Sequence, residues 1–168
     1  LAVEDAPGEA AGGRGDHGRL GRANACQFNW SFVGHRDGAA TEYIAVPAER
    51  IYPAKLTRQE LCLVEPLTVG FHAVARGRVT AEDTVAILGC GGVGLGAVAA
   101  SGFRGARTIA IDRDDEKLST ARAAGATHSI NTAREGLHPR LAEPPDGPGP
   151  HVTIGAIGLP DTFRNPAA

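Results

Sequence analysis

The chain has 168 residues, of which 42% are hydrophobic, and its formal net charge is −2 at pH 7. This length suits one domain, or one domain with part of a neighbour, and the balanced charge gives no electrostatic reason to bind nucleic acid or an anionic membrane. No apolar run approaches the ~20 residues of a membrane-spanning helix, and the first residues lack a signal-peptide pattern. We therefore expect a cytoplasmic protein without nucleic-acid or membrane partners.

The N-terminal segment has a composition unlike the rest of the chain. Residues 1–27 are rich in Gly, Ala, Arg and Asp, with few large apolar side chains, which predicts a loop or a disordered segment. The chain contains no methionine, not even at position 1, so the sequence suggests that its start is missing, processed or unusually initiated. Cys26, Cys62 and Cys90 are too unevenly spaced for a disulfide framework, and we expect buried free thiols.

The next segment changes from strand patterns to helix patterns. Residues 28–60 look like the remnant of a β-rich module, with short strands at 42–46 and 50–52 separated by Pro47. From 57 to 75, apolar residues recur at helical spacing and predict helices, with Pro66 near a helix start and Gly77 ending the pattern.

A regular alternation of strands and helices follows. Apolar runs predict parallel strands at 84–88, 107–112 and 128–131, with a further strand within 151–158. Helices are predicted over 92–104 and from Asp114 to a C-terminal Gly125. Residues 61–168 therefore read as a partial nucleotide-binding domain of the α/β class, a doubly wound parallel sheet built on a Rossmann βαβαβ unit.

The turn between the first predicted strand and helix matches a dinucleotide fingerprint. Gly89-Cys90-Gly91-Gly92-Val93-Gly94 satisfies G-x-G-x-x-G. In this motif the first glycine makes the tight turn, the second admits a pyrophosphate, and the third allows close packing of helix on strand. The pyrophosphate would lie on the N–H groups at the start of the helix.

An acidic residue closes the second predicted strand. Asp112 can accept hydrogen bonds from the adenosine ribose hydroxyls, whereas a 2′-phosphate would meet like charge, so NAD is favoured over NADP. The adjacent Arg113 is an opposing feature, because its guanidinium could pair with a 2′-phosphate. A turn or helix-capping role is the alternative for Asp112.

Five segments together resemble the medium-chain dehydrogenase/reductase superfamily, closest to its zinc-type polyol, threonine and sugar-acid dehydrogenases. They are DGAATEYIAVPAERIY at 37–52, EPLTVGFHAV at 65–74, VAILGCGGVGLGAV at 85–98, AIDRDDEKLSTARAAGATHSIN at 110–131 and VTIGAIGLPDTFR at 152–164. The resemblance implies a GroES-like β-rich catalytic domain, of which 28–60 would be a remnant, before the nucleotide domain. It also implies a zinc ion that polarises an alcohol while hydride passes to nicotinamide.

The resemblance also assigns roles to individual residues. It implies cofactor contacts at Gly89, Gly91, Gly92, Val93, Gly94, Asp112, Arg113, Lys117, Val69, Ile157 and Gly158. Glu65 resembles the glutamate that stands beside the catalytic zinc in the polyol branch, although a helix N-terminal carboxylate is the alternative for it.

The sequence departs from the family where zinc is bound. The first cysteine ligand and the Gly-His-Glu motif have no counterparts in order, and His35 lies too late in the chain to replace the histidine. Only Cys26 resembles a member of the four-cysteine structural zinc site, which one sulfur cannot build. Gly155 stands where the family usually has a glutamate. We therefore expect no stoichiometric zinc and no catalytic residue in this chain.

The leading hypothesis is an NAD-dependent zinc-type dehydrogenase that, in its complete form, oxidises a secondary alcohol or polyol to a ketone, with this chain truncated and inactive. The alternatives are a zinc-free quinone or enoyl reductase and a non-catalytic dinucleotide-binding module. A methyltransferase is a further option, since it also places a glycine-rich turn before an acidic strand end. A homo-oligomer is compatible with the sequence.

Overall fold

The computed structural model describes residues 2–3, 37–46, 48, 51–137, 141 and 149–158. The chain divides into two compact units, Leu1–Leu61 and Cys62–Ala168. Among the described residues, no helix combines the length and apolar character needed to cross a membrane.

In the first unit, a short antiparallel pair joins β1 (Ala2–Val3) to β2 (Ile51–Tyr52). The prediction of a loop or disorder over 1–27 is therefore wrong at Ala2–Val3, because backbone pairing does not depend on large apolar side chains. The remainder of that segment and residues 28–36 lie outside the described residues.

The predicted strand at 42–46 is also wrong. The structure has irregular backbone there, and Tyr43 is 90% exposed. A strand is stabilised by a paired neighbour and by side chains that pack on one face, which an alternating sequence by itself cannot supply.

The second unit contains a four-stranded sheet with helices between its strands. The elements are α1 (Arg58–Arg76, which begins in the first unit), β3 (Thr84–Leu88), α2 (Gly92–Phe103), β4 (Arg107–Asp112), α3 (Asp115–Ala123), β5 (His128–Asn131) and β6 (Val152–Gly155). The strand order is β5-β4-β3-β6 and all three pairings are parallel. The chain thus winds outward from β3 to β5 and then returns to the other side of β3, as in a doubly wound fold. This confirms the predicted fold class.

The sheet is buried because its central strands are apolar on both faces. All five residues of β3 are buried, and Val85 and Ile87 pack with residues of α2 and α3 on one face. On the other face, Ala86 and Leu88 pack with apolar residues of β4 and β5. Both faces of this strand therefore contribute to the core, which explains its uninterrupted apolar sequence.

The helix α1 differs from the prediction. It is one helix of 19 residues with Pro66 inside it, not helices that start near Pro66. It begins earlier because Thr57 and Glu60 form a reciprocal capping box: the Glu60 carboxylate accepts from the Thr57 N–H at 2.7 Å, and the Thr57 hydroxyl oxygen accepts from the Glu60 N–H at 3.3 Å. At its other end α1 stops before Gly77 as predicted, but the left-handed residue is Arg78.

The boundaries of α2 and α3 agree closely with the sequence. The helix α2 ends at Phe103, with Arg104 as its C-cap. Asp114 caps α3 by accepting from the N–H groups of Glu116 and Lys117. Gly125 has a φ of +110°, the left-handed conformation predicted for the residue that terminates this helix.

Candidate functional site

A cavity of about 540 Å³ opens at the carboxyl ends of β3, β4 and β6. It extends from the β4 and β5 side to the point between β3 and β6 where the winding direction of the sheet reverses, which is the usual ligand position in doubly wound sheets. Its lining residues are Leu88, Gly89, Gly91, Ile111, Asp112, Arg113, Lys117, Thr132, Leu137, Ala156, Ile157 and Gly158.

The three glycines of the fingerprint differ in their surroundings. Gly89 has a φ of +92°, and a Cβ there would lie 2.6 Å from the Ile157 side chain. A Cβ at Gly94 would lie only 1.8 Å from the Gly89 carbonyl oxygen, whereas among the described residues, its chain neighbours aside, no atom lies within 4 Å of one at Gly91. The first and third glycines are thus required by the protein itself, while the second leaves open space for a ligand, as the motif predicts.

The first turn of α2 suits an anion. Gly91 is its N-cap, and because glycine has no side chain, no side-chain group of the cap residue accepts a hydrogen bond from the N–H groups of the first turn. The first turn also contains no acidic residue. The helix dipole places positive partial charge at this end, where backbone N–H groups point outward. The space beside Gly91 and this positive helix end together form a cradle in which a pyrophosphate fits.

Asp112 connects the end of β4 to the glycine-rich loop. Its Oδ2 accepts a hydrogen bond from the Cys90 N–H at 2.8 Å, and its Oδ1 accepts from the N–H groups of Arg113 at 2.8 Å and Asp114 at 3.1 Å. Burial raises the pKa of the Asp112 carboxyl, but these three N–H groups outweigh that effect and hold the pKa below its usual value. The carboxylate is therefore ionised at neutral pH.

Two basic side chains stand at the same end of the cavity. Arg113 and Lys117 are both exposed and both line it. Lys117 also contributes to lowering the pKa of Asp112. The cavity thus combines one buried negative charge with two exposed positive charges, an arrangement able to bind a nucleotide that carries both hydroxyls and phosphates.

The remaining predicted residues fall at three places. Ile157 and Gly158 follow the end of β6 and line the cavity. Gly92, Val93 and Gly94 form the first turn of α2, outside the lining, with Val93 37% exposed. Val69 and Glu65 lie on α1, and both are exposed.

Five lining residues were not singled out from the sequence: Leu88, Ile111, Thr132, Leu137 and Ala156. Leu88, Ile111 and Thr132 occur where predicted parallel strands end, so the strand-end rule could have found them. Leu137 carried no signal, because it lies beyond the last regular pattern before the proline-rich segment.

The cysteines differ from one another. Cys90 is buried as predicted, and burial, followed by the nearby Asp112 charge, raises the pKa of its thiol to about 11. Cys62 is exposed, so the prediction of a buried thiol is wrong there: it lies near the start of α1, and the buried residues that the structure describes in this helix, Gly70 and Val74, come two or more turns later. Cys26 lies outside the described residues.

No zinc site is assembled in the described part of the chain. Within those residues, no three His, Cys, Asp or Glu side chains come together in a way that could hold a metal ion. Glu65 therefore has no partner set among them, and His35 lies outside them. The described residues do not fit a catalytic zinc, and the role of Glu65 stays a prediction.

Comparisons with known proteins agree with this geometry. Residues 92–167 match the family of zinc-binding dehydrogenases. The sorbitol dehydrogenase of Bacillus subtilis (strain 168) is 39% identical over 135 residues, which cover 78% of this chain and 37% of that enzyme. The chain is thus a relative of the zinc-type alcohol and polyol dehydrogenases in the medium-chain superfamily.

Solved structures of relatives superpose on nearly the whole chain. A short chain alcohol dehydrogenase from E. coli CFT073, complexed with NADH, is 30% identical with a TM-score of 0.82, covering 96% of this chain and 48% of that one. A protein from Sinorhizobium meliloti 1021 described as a zinc-binding dehydrogenase, solved with NADP bound, is 30% identical with a TM-score of 0.81. The match covers 96% of this chain and 48% of that one. The chain spans less than half the length of these relatives.

Proposed function

We propose that this chain binds NAD in the cavity between β3 and β6 and forms the nucleotide-binding part of a zinc-type alcohol or polyol dehydrogenase. One observation carries the proposal: the second fingerprint glycine, Gly91, faces open space, while Gly89 and Gly94 are each crowded by the protein itself. A glycine-rich turn that served only packing would have no reason to leave the middle position uncovered.

We propose a position for each part of the dinucleotide. The pyrophosphate would lie on the first turn of α2, beside Gly91. The adenosine ribose would lie against Asp112, with Arg113 and Lys117 beside it. The nicotinamide half would then extend toward Ile157 and Gly158, and we expect Val69 of α1 to contact the ring.

We propose NAD rather than NADP as the cofactor. The ionised Asp112 would repel a 2′-phosphate, and a ribose with free hydroxyls can instead donate to the carboxylate. Arg113 could offset this repulsion, and relatives of similar identity have been solved with each cofactor, NADH in one and NADP in another. The selectivity is therefore a direct test of which charge dominates.

When bound, NAD accepts a hydride, so the whole protein would oxidise the hydroxyl of a small alcohol or polyol to a carbonyl. The residues of this chain would hold the cofactor and orient it. We derive no step through zinc, because the described residues provide no ligand set for it. A cytoplasmic location and self-association belong to the same proposal.

The proposal is tested by titrating the chain with NADH and NADPH, using nucleotide fluorescence and calorimetry. Gly91→Ala should weaken NADH binding by about tenfold or more, because the added methyl would occupy the pyrophosphate position. Gly102→Ala is the matched control: it lies near the other end of the helix that Gly91 caps, and a Cβ there also meets no atom of the described residues outside its own helix and chain neighbours within 4 Å. A wild-type chain that binds no NADH, or binds NADPH equally well or more tightly, would contradict the proposal.

A further inference from the structure

We propose that Asp112 is a positioning residue for the glycine-rich loop, in addition to any contact with the ribose. In this role its carboxylate holds the Cys90 peptide so that the following residues present their N–H groups to a pyrophosphate. The proposal rests on the proposed function, and it assigns Asp112 an effect on ligands that have no ribose hydroxyls.

The hydrogen bonds of Asp112 define this role. The bond from Cys90 N–H to Asp112 Oδ2 joins residues 22 positions apart, and both residues are buried. The other carboxylate oxygen is held by the Arg113 and Asp114 N–H groups, so the side chain is itself anchored to the end of β4. A rigid sheet edge therefore fixes the orientation of a loop peptide next to Gly91.

A backbone hydrogen bond at Gly89 positions the loop for the hydrogen bond between Cys90 and Asp112. The Gly89 N–H donates to the Ile111 carbonyl oxygen at 2.7 Å, which continues the β3–β4 pairing for one residue beyond β3. Beyond Gly89, the Asp112 carboxylate takes over as the partner of the next N–H, that of Cys90. The loop is thus ordered before a ligand arrives, which lowers the entropic cost of binding.

The acceptor capacity of the carboxylate limits what else it can do. A carboxylate has about four acceptor positions, and backbone N–H groups use three of them here. A ribose hydroxyl would share what remains. Much of the contribution of Asp112 to nucleotide affinity should then come from the loop and not from the sugar.

Charge and positioning predict effects of opposite sign. As a negative charge near a bound polyphosphate, Asp112 is repulsive, so removing the charge alone would strengthen binding. As an anchor for the loop, its loss would weaken binding. A neutral side chain of the same shape therefore separates the two effects.

The experiment compares ADP with 2′,3′-dideoxy-ADP on the full chain, by calorimetry. Asn has one acceptor oxygen and one donor nitrogen, so Asp112→Asn cannot satisfy both sets of N–H groups. We expect this variant to bind dideoxy-ADP about three- to tenfold more weakly than the wild type. Asp114→Asn removes the same charge two residues away and keeps a good N-cap, so it should bind dideoxy-ADP at least as tightly as the wild type.

A second variant removes the donor instead of the acceptor. Replacing residue 90 by lactic acid, with Cys90→Ala as its reference, substitutes an ester oxygen for the N–H and leaves Asp112 intact. We expect the same loss of dideoxy-ADP affinity relative to Cys90→Ala. In the ligand-free chain, Asp112→Asn should also speed amide exchange at Cys90 about tenfold.

The outcomes separate the two proposals. Unchanged dideoxy-ADP affinity in both variants, with ADP weakened only by Asp112→Asn, would show that Asp112 acts through the ribose alone and would overturn the positioning role. If Asp112→Asn does not fold, the ester variant decides. A wild-type chain that binds neither ADP nor NADH overturns the proposed function, and the positioning role with it, even where the exchange measurement shows that the Asp112 contact orders the loop.

Discussion

Gly94 provides the sharpest test of how α2 packs on the loop that precedes it. A Cβ built on Gly94 lies 1.8 Å from the Gly89 carbonyl oxygen and 2.8 Å from its carbonyl carbon. An ordinary carbon–oxygen contact is about 3.3 Å, so Gly94→Ala requires the helix and the loop to separate by more than 1 Å. Both clashing atoms are backbone, so no side-chain rotation can relieve the overlap.

The magnitude follows from two opposing terms. Forcing an extra methyl into a packed site costs about 1–3 kcal/mol, and the better helix propensity of alanine offsets at most about 1 kcal/mol. We expect Gly94→Ala to lower the free energy of unfolding by about 2 kcal/mol. Gly102→Ala lies later in the same helix, and the described residues outside that helix place no atom within 4 Å of the added Cβ, so it should raise the free energy of unfolding by about 0.5–1 kcal/mol.

The assay is urea denaturation followed by circular dichroism, with the wild type and both variants measured side by side. The two substitutions add the same atom to the same helix, so the difference between their free energies of unfolding, about 2.5–3 kcal/mol, isolates the contact with Gly89. Equal stability of the two variants would refute the close packing of α2 against the loop, and with it our explanation of the third fingerprint glycine.

Three further predictions concern buried polar groups and thiols. Among the described residues, the buried Thr108 hydroxyl has no hydrogen-bond partner, so Thr108→Val should raise the free energy of unfolding by about 1 kcal/mol in urea denaturation. The hydroxyl oxygen of Thr84 accepts a hydrogen bond from Arg107, so the control Thr84→Val should lower the free energy of unfolding. A loss of stability in Thr108→Val would contradict this reasoning. Folding lowers the pKa of Asp112, so its ionised form stabilises the fold above the unfolded-state pKa of about 4, and this stabilisation is lost as the pH falls through the folded-state pKa. Between about pH 6 and about pH 3, the free energy of unfolding should therefore fall less in Asp112→Asn than in the wild type. Identical pH dependence in the two proteins would argue against the hydrogen bonds of the Asp112 carboxylate. Iodoacetamide at mildly alkaline pH should modify the exposed Cys62 and spare Cys90, whose thiol is buried with a pKa raised to about 11; peptide mass mapping that finds Cys90 labelled in the folded chain would show that the loop opens.

The strands and the fingerprint could be predicted from the sequence because their determinants are local. A run such as Val85 to Leu88 is apolar at every position, and only burial on both faces favours that pattern. The spacing of Gly89, Gly91 and Gly94 and the position of Asp112 at the end of β4 likewise reflect the needs of single turns of the chain. The end of α3 at Gly125 was predicted for the same reason, since a left-handed residue favours glycine wherever it occurs.

Other features depended on contacts between segments that are distant in sequence. Proline disfavours a helix interior, yet α1 continues through Pro66, where it packs closely on α2: a Cβ at Gly96 would lie 2.9 Å from the Pro66 carbonyl oxygen. The segment 42–46 shows the reverse case, a strand pattern with irregular backbone. In both, packing and pairing decided the conformation over local preference.

The candidate site shows the same division. The sequence alone predicted which residues would carry its chemistry, the glycines of the loop and the carboxylate of Asp112, because each meets a local geometric or electrostatic need. Only the tertiary structure decided that the Asp112 carboxylate accepts from the Cys90 N–H and that Thr132 and Leu137 line the cavity. Those contacts arise because parallel strands bring their carboxyl ends to one edge, so residues far apart in the chain meet there with no pattern in the sequence to record it.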